Sequence, residues 1–143
     1  MSTGGNASFY MRHVNQATYK KGEKIAYLDN IYNPGNHYNS DSGEYTCPVS
    51  GVYLFVFAVQ GERLTDGRNI SVVSAVLKRN DDRITGVFMA NDNPLSIKAT
   101  LSQSVITYCN HGDRVYIESD WDNNKIEYTL DDIFGGVLMY HLK

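Results

Sequence analysis

Gly51-Val52-Tyr53-Leu54-Phe55-Val56-Phe57-Ala58-Val59 reads as a β-strand, because β-branched and aromatic side chains fit a pleated, extended backbone. Successive side chains of a strand point to opposite faces. Tyr53, Phe55, Phe57 and Val59 therefore share one face, and Val52, Leu54, Val56 and Ala58 share the other. Both faces are apolar, so both need cover, one from a second sheet and the other from something else. A partner subunit is the expected second cover.

Outward from this strand the chain is a succession of strands and turns, with no long helical pattern. Asn33-Pro34-Gly35-Asn36 and Asn39-Ser40-Asp41-Ser42-Gly43 are turn clusters. Glu44 to Pro48 forms a short strand, and Ile70–Leu77 with Arg83–Met89 forms a hairpin across Asn80-Asp81-Asp82. After the Asn91-Asp92-Asn93-Pro94 break, Ile97, Ala99, Leu101, Val105 and Cys109 alternate inward, with Lys98, Thr100, Ser102, Ser104 and Tyr108 outward. Arg114 to Ser119 repeats the alternation, with Val115 and Ile117 inside and Tyr116 outside. Ile133 to Tyr140 closes the chain as a second strand apolar on both faces. Eight to ten strands punctuated in this way describe an all-β sandwich, of which a jelly roll is the natural form.

Composition narrows the function. The chain has 143 residues, enough for one domain with a real core. Thirteen basic and sixteen acidic residues give a net charge of −3 without a block of either sign, which argues against nucleic acid as a partner. No apolar run is long enough to span a bilayer, and residues 1–6 show no secretion signal. Eleven tyrosines suit positions where a ring packs and a hydroxyl meets water. Cys47 and Cys109 are too few for a disulfide framework and stand open between buried thiols and a single bridge. His13, His37, His111 and His141 lack zinc-type spacing, and neither a Gly-x-Ser-x-Gly elbow nor a phosphate-binding Gly loop is present. No enzymatic motif emerges.

The spacing of Tyr27, Asn33, Tyr38, Tyr45, Gly51, Tyr53, Phe55 and Phe57 resembles the globular-head pattern of the complement C1q family. Gly112-Asp113-Arg114-Val115 and Phe134-Gly135-Gly136-Val137-Leu138 resemble its last turn and closing strand, so the likeness covers nearly the whole chain. Tyr27 and Tyr45 stand where the family usually has Phe, each adding a hydroxyl that needs a partner if buried. The resemblance implies a ten-stranded jelly roll, similar to the tumour necrosis factor ligands, that assembles as a compact homotrimer. Residues 1–7 are then an N-terminal tail and 8–143 the domain, with Tyr53, Phe55, Phe57, Phe134 and Leu138 in its core or trimer interface.

Family members are mostly secreted, and this chain has no collagen-type Gly-x-y repeat, so it resembles the stalkless, head-only form. That form implies a lectin-like innate-immune recognition protein, binding microbial or other glycans multivalently. The competing expectation is a cytokine-like or structural trimerisation head whose ligand is a protein receptor. Trp121 sits among Asp120, Asp122 and Asn124, a combination of aromatic face and polar groups that suits a sugar ring, or else folds back as a lid over the sandwich. His37 and Tyr38 mark a second possible contact loop. Asp92, flanked by Asn91 and Asn93, stands where some family members hold calcium; the rival is a plain Asx turn. The Asp120–Asn124 loop offers alternating oxygens for the same ion, although Lys125 replaces the Gly of an EF-hand loop.

Overall fold

The computed structural model describes residues 7–13, 17–62, 71–91, 98–122, 124–126 and 132–141. Twelve strands occur among them: β1 (Phe9–Arg12), β2 (Ala17–Tyr19), β3 (Asp29–Tyr32), β4 (Tyr38–Asn39), β5 (Glu44–Thr46), β6 (Gly51–Glu62), β7 (Ser71–Arg79), β8 (Asp82–Asn91), β9 (Lys98–Cys109), β10 (Arg114–Ser119), β11 (Asn124–Ile126) and β12 (Ile133–His141). Ten of them make two antiparallel sheets, ordered β3-β1-β12-β6-β9 and β4-β5-β10-β7-β8. This is the expected jelly roll. The other two, β2 and β11, pair with each other and join β6 where Ile126 opposes Gly61. That extension was not legible in the sequence, because three-residue strands are too short to show a period.

The hairpin between β7 and β8 is tighter than expected. Asn80 and Asp81 alone make the turn, both at positive φ (49° and 73°), as a two-residue turn that follows the strand twist requires. Asn and Asp tolerate this conformation better than most side chains.

β6 divides the molecule. Its Tyr53, Phe55, Phe57 and Val59 face the second sheet and are buried, whereas Val52, Leu54 and Val56 on the opposite face are only half-buried. Rings fill the space between the sheets. Phe9 stacks on Tyr45 at 4.2 Å between centroids and meets Phe134 edge-on at 4.9 Å, while Tyr53 stacks on Phe55 at 5.6 Å. Gly136 makes room for them: a Cβ there would lie 2.7 Å from the Phe55 ring and 2.9 Å from that of Phe9. Ala7, expected in the tail, is buried in this cluster.

The tyrosine hydroxyls added to this core all find backbone partners. Tyr45 donates to the Ala7 carbonyl, Tyr27 to Ala58 at 3.3 Å, and Tyr53 to Val49 at 2.7 Å. The hydroxyl of Tyr38 accepts the Tyr27 N–H at 3.0 Å. Each hydroxyl so engaged avoids the penalty of a buried, unpaired polar group. Burial still disfavours their ionised forms, raising Tyr27 and Tyr45 well above the usual phenol range and pushing Tyr38 up to about 12.

One alternation is corrected. Tyr116 points away from the core, as expected, but is buried rather than exposed. The chain from Gly22 to Ile25 runs alongside β10, exchanging backbone bonds with Ser119 and Ile117. It places the Lys24 ammonium 4.7 Å above the Tyr116 ring, and the hydroxyl donates to Asp81.

Candidate functional site

Two surfaces depart from an ordinary solvated exterior. The first is the outer face of the β6 sheet. Val137, Leu54 and Ile106 stand side by side on β12, β6 and β9, and Tyr140, Val52 and Tyr108 form the next rung. Ile106 is 62% exposed and Val137 39% exposed. Met139 shares the outer face with Val137 by alternation, and a β-bulge between Leu138 and Tyr140 brings Tyr140 onto that face too. Tyr53, Phe55, Phe57, Phe134 and Leu138, named from sequence as core or interface, all belong to the intersheet core instead of this face. Their buried side chains leave a partner chain little to touch. The contiguous apolar surface is carried by the opposite set of the same strands.

The second surface is an aromatic corner. Trp121 follows the end of β10 and is 46% exposed; its ring meets that of Phe88, 61% exposed, at 6.4 Å and 70°. Phe88 faces away from the core on β8, so the pair stands on the outer face of the second sheet. The loop carrying Trp121 is fixed at several points. Ser119 donates its hydroxyl to the Trp121 carbonyl at 2.9 Å, Asp120 N–H reaches Ser74 at 3.4 Å, and Asp122 accepts the Lys21 N–H at 3.0 Å. Trp121 is thus no buried lid. It presents an exposed indole on an anchored loop, with Asp120 and Asp122 as its neighbours in the chain. Phe88 escaped sequence reasoning because a lone Phe in an alternating strand gives no sign of which distant loop it meets.

The His37–Tyr38 loop is placed differently. Tyr38 is buried, 2% exposed, and is a core residue instead of a contact side chain. The half-buried His37 ring stands edge-on to Tyr45 at 6.5 Å. What the loop does build is a cleft of about 250 Å³ lined by Asn30, Asn33, Asn36, Tyr38, Asn39 and Ser40. The turn clusters flagged Asn33, Asn36, Asn39 and Ser40, and Tyr38 stood out as a contact residue, whereas Asn30 was not singled out, because its convergence with them depends on where β3 lies in the fold.

Of the candidate calcium ligands, Asp92 and Asn93 lie outside the described residues, as do the side chains of Asn91 and Asn124. Among the described residues no three His, Cys, Asp or Glu side chains are grouped to hold a metal. Cys47 and Cys109 are both buried and unbridged, and a hydrogen bond between the thiols together with burial raises that of Cys47.

The C1q domain model matches residues 8–139. The chain belongs to the C1q domain family. As a C1q domain it falls in a family of binding modules, and its jelly roll is the fold the family shares. It is 32% identical over 120 residues to the hibernation-associated plasma protein HP-25 of Tamias sibiricus, covering 82% of this chain and 51% of that one. The chain spans about half the length of the curated relatives it matches. Among solved structures it is similar to the globular domain of zebrafish complement 1qA protein, with a TM-score of 0.74, 19% identity and coverage of 95% and 99% of the two chains. It also shares the fold of murine APRIL, with a TM-score of 0.73, 12% identity and coverage of 92% and 98%. Among the described residues no helix is long and apolar enough to cross a membrane.

Proposed function

We propose that this C1q domain is the recognition head of a secreted homotrimer that binds glycans, microbial polysaccharides among them, in an innate-immune role. The carrying observation is the exposed Trp121–Phe88 corner, whose Trp121 is flanked in the chain by Asp120 and Asp122. A sugar ring offers an apolar face to an aromatic surface and hydroxyls to carboxylates and amides. Assembly through the apolar outer face of β6, β9 and β12 displays the corner three times, and weak single sites then add through multivalency. Likeness to a plasma protein supports an extracellular location. Calcium enters the proposal through the Asn91–Asn93 turn or the Asp120–Asn124 loop, as an ion that orders the display.

The test is a glycan and bacterial-polysaccharide array probed with the wild type, Trp121→Ala and Phe88→Ala, with calcium and with a chelator. Binding that both substitutions weaken supports the corner, and sensitivity to the chelator adds the ion. Binding that neither substitution changes removes the corner from the function. A blank array in every condition overturns the glycan reading and favours a receptor-binding head, which would need a protein-sized contact surface.

A further inference from the structure

The cleft bounded by β3, the Asn33–Asn36 turn and β4 brings four asparagine residues, Tyr38 and Ser40 around about 250 Å³. That volume lies just under the roughly 300–1,000 Å³ of drug-sized sites and suits one ring-sized ligand. Two of the asparagines are fixed by the backbone. Asn33 donates its side-chain N–H to the Tyr38 carbonyl at 3.0 Å and accepts the Tyr38 N–H at 3.4 Å. Asn39 accepts the Asp41 N–H on its side-chain oxygen at 2.8 Å, and its carbonyl accepts the Gly43 N–H at 2.8 Å. Asn36 is held at φ 57° by a turn in which its N–H reaches the Asn33 carbonyl at 3.1 Å. The side-chain amides of Asn30 and Asn36 are exposed and give no hydrogen bond to another group among the described residues.

The chemistry of the lining selects a ligand class. An amide donates and accepts, as a hydroxyl does, so several amides around one small space match a ligand that carries several hydroxyls. No lining residue is charged. Asp29, next to Asn30 in the chain, is engaged by Arg12 at 2.9 Å. Without a Lys or Arg in the lining an anion lacks its usual partner, and without a carboxylate a calcium ion lacks its own.

We infer that this cleft is a binding site for one uncharged, polyhydroxylated ring, a neutral monosaccharide unit. The site is separate from the Trp121 corner and does not depend on it.

The experiment is a titration of the full chain, followed through its backbone amide NMR signals, with the methyl glycosides of mannose, galactose and N-acetylglucosamine. Sodium sulfate is the charged comparison. Wild type, Asn30→Thr, Asn36→Gly and Trp121→Ala are titrated in parallel. Gly adopts the left-handed backbone of Asn36 freely, so Asn36→Gly removes the amide without straining the turn. At least one glycoside is expected to shift the amide signals of Asn33, Ser40 and Asp41. One neutral hydrogen bond is worth about 1 kcal/mol, so Asn30→Thr and Asn36→Gly should each weaken that binding about fivefold. Trp121→Ala should leave it unchanged. Signal dispersion in each variant reports that the fold is retained. The inference is overturned if no glycoside moves these signals, if the two asparagine variants bind like the wild type, or if sulfate moves them more than the sugars do. Sugar-dependent shifts confined to the Trp121 loop would overturn the cleft and leave the aromatic corner standing.

Discussion

Replacing Ile106 is the sharpest probe of assembly, because its side chain is 62% exposed in the single chain while sitting in an apolar row with Leu54 and Val137. Complete burial of a side chain of this size is worth about 1.5–3 kcal/mol, so covering the exposed part contributes about 1–2 kcal/mol per chain. Three copies act in a trimer, and Ile106→Ala should weaken the assembly by about 3–6 kcal/mol in all. At about 1.4 kcal/mol per tenfold, that raises the overall dissociation constant by about two to four orders of magnitude. Ile106→Asp should act more strongly, since it places an ionised group where burial costs several kcal/mol per ion. Neither change removes a packed core atom, so unfolding of the isolated chain should stay within about 0.5 kcal/mol of the wild type. Sedimentation equilibrium across a concentration series reads the assembly, and denaturant melts at the lowest concentration read the fold. A wild type that is monomeric at micromolar concentration refutes the reasoning. So does an Ile106→Asp variant that keeps the mass and concentration dependence of the wild type.

Three further outcomes follow from the core. Tyr45→Phe keeps the ring but strands the buried Ala7 carbonyl, so a denaturant melt should show a loss of about 1–3 kcal/mol, against none if water replaces the hydroxyl. Gly136→Ala forces a methyl group between Phe9 and Phe55 and should cost about 1–3 kcal/mol by the same measurement, with an unchanged midpoint contradicting the close approach. High pH should destabilise the fold through Tyr38, whose hydroxyl titrates near pH 10 when unfolded and is pushed up to about 12 by burial. A raised pKa for a group that ionises to an anion leaves its stabilisation intact below pH 10 and removes it as pH rises from 10 toward 12, by about 1.4 kcal/mol per pH unit. Tyr27 and Tyr45 shift in the same direction and steepen the loss; melts between pH 8 and 11.5 that show a flat midpoint would contradict this.

The sandwich was legible because its strongest signal is local. Alternation in Gly51–Val59 and Leu101–Cys109 states which residues share a face, and the structure keeps those sets together. Which face points inward is a property of the whole sheet, and there local reasoning fell short. Tyr53, Phe55 and Phe57 are as apolar as Leu54 and Val56, so the sequence alone does not say which set meets the second sheet. Tyr116 was misjudged for the same reason: the segment that covers it, Gly22 to Ile25, lies far away in the chain. Trp121 stood out as the single Trp in a polar loop, whereas Phe88 became visible only once β8 lay beside that loop.

The arrangement of the two surfaces bears on how a C1q domain can both assemble and recognise. The apolar row of Leu54, Ile106 and Val137 lies on the outside of one sheet, and Phe88 with Trp121 lies on the outside of the other. Facing sheets pack about 10 Å apart, so the full thickness of the sandwich separates the two sets of side chains. Copies whose contacts stay on the first surface would leave the second uncovered. The aromatic core between them makes the separation rigid, because close-packed rings such as Phe9, Tyr45 and Phe134 leave the sheets little freedom to slide. Substitutions on the two faces should accordingly be additive: loss of Ile106 reduces avidity by reducing the number of linked sites, and loss of Trp121 reduces the affinity of each site. A monomeric Ile106→Asp variant that retains single-site sugar binding would separate the two functions, whereas loss of single-site binding in that variant would place recognition at the subunit boundary.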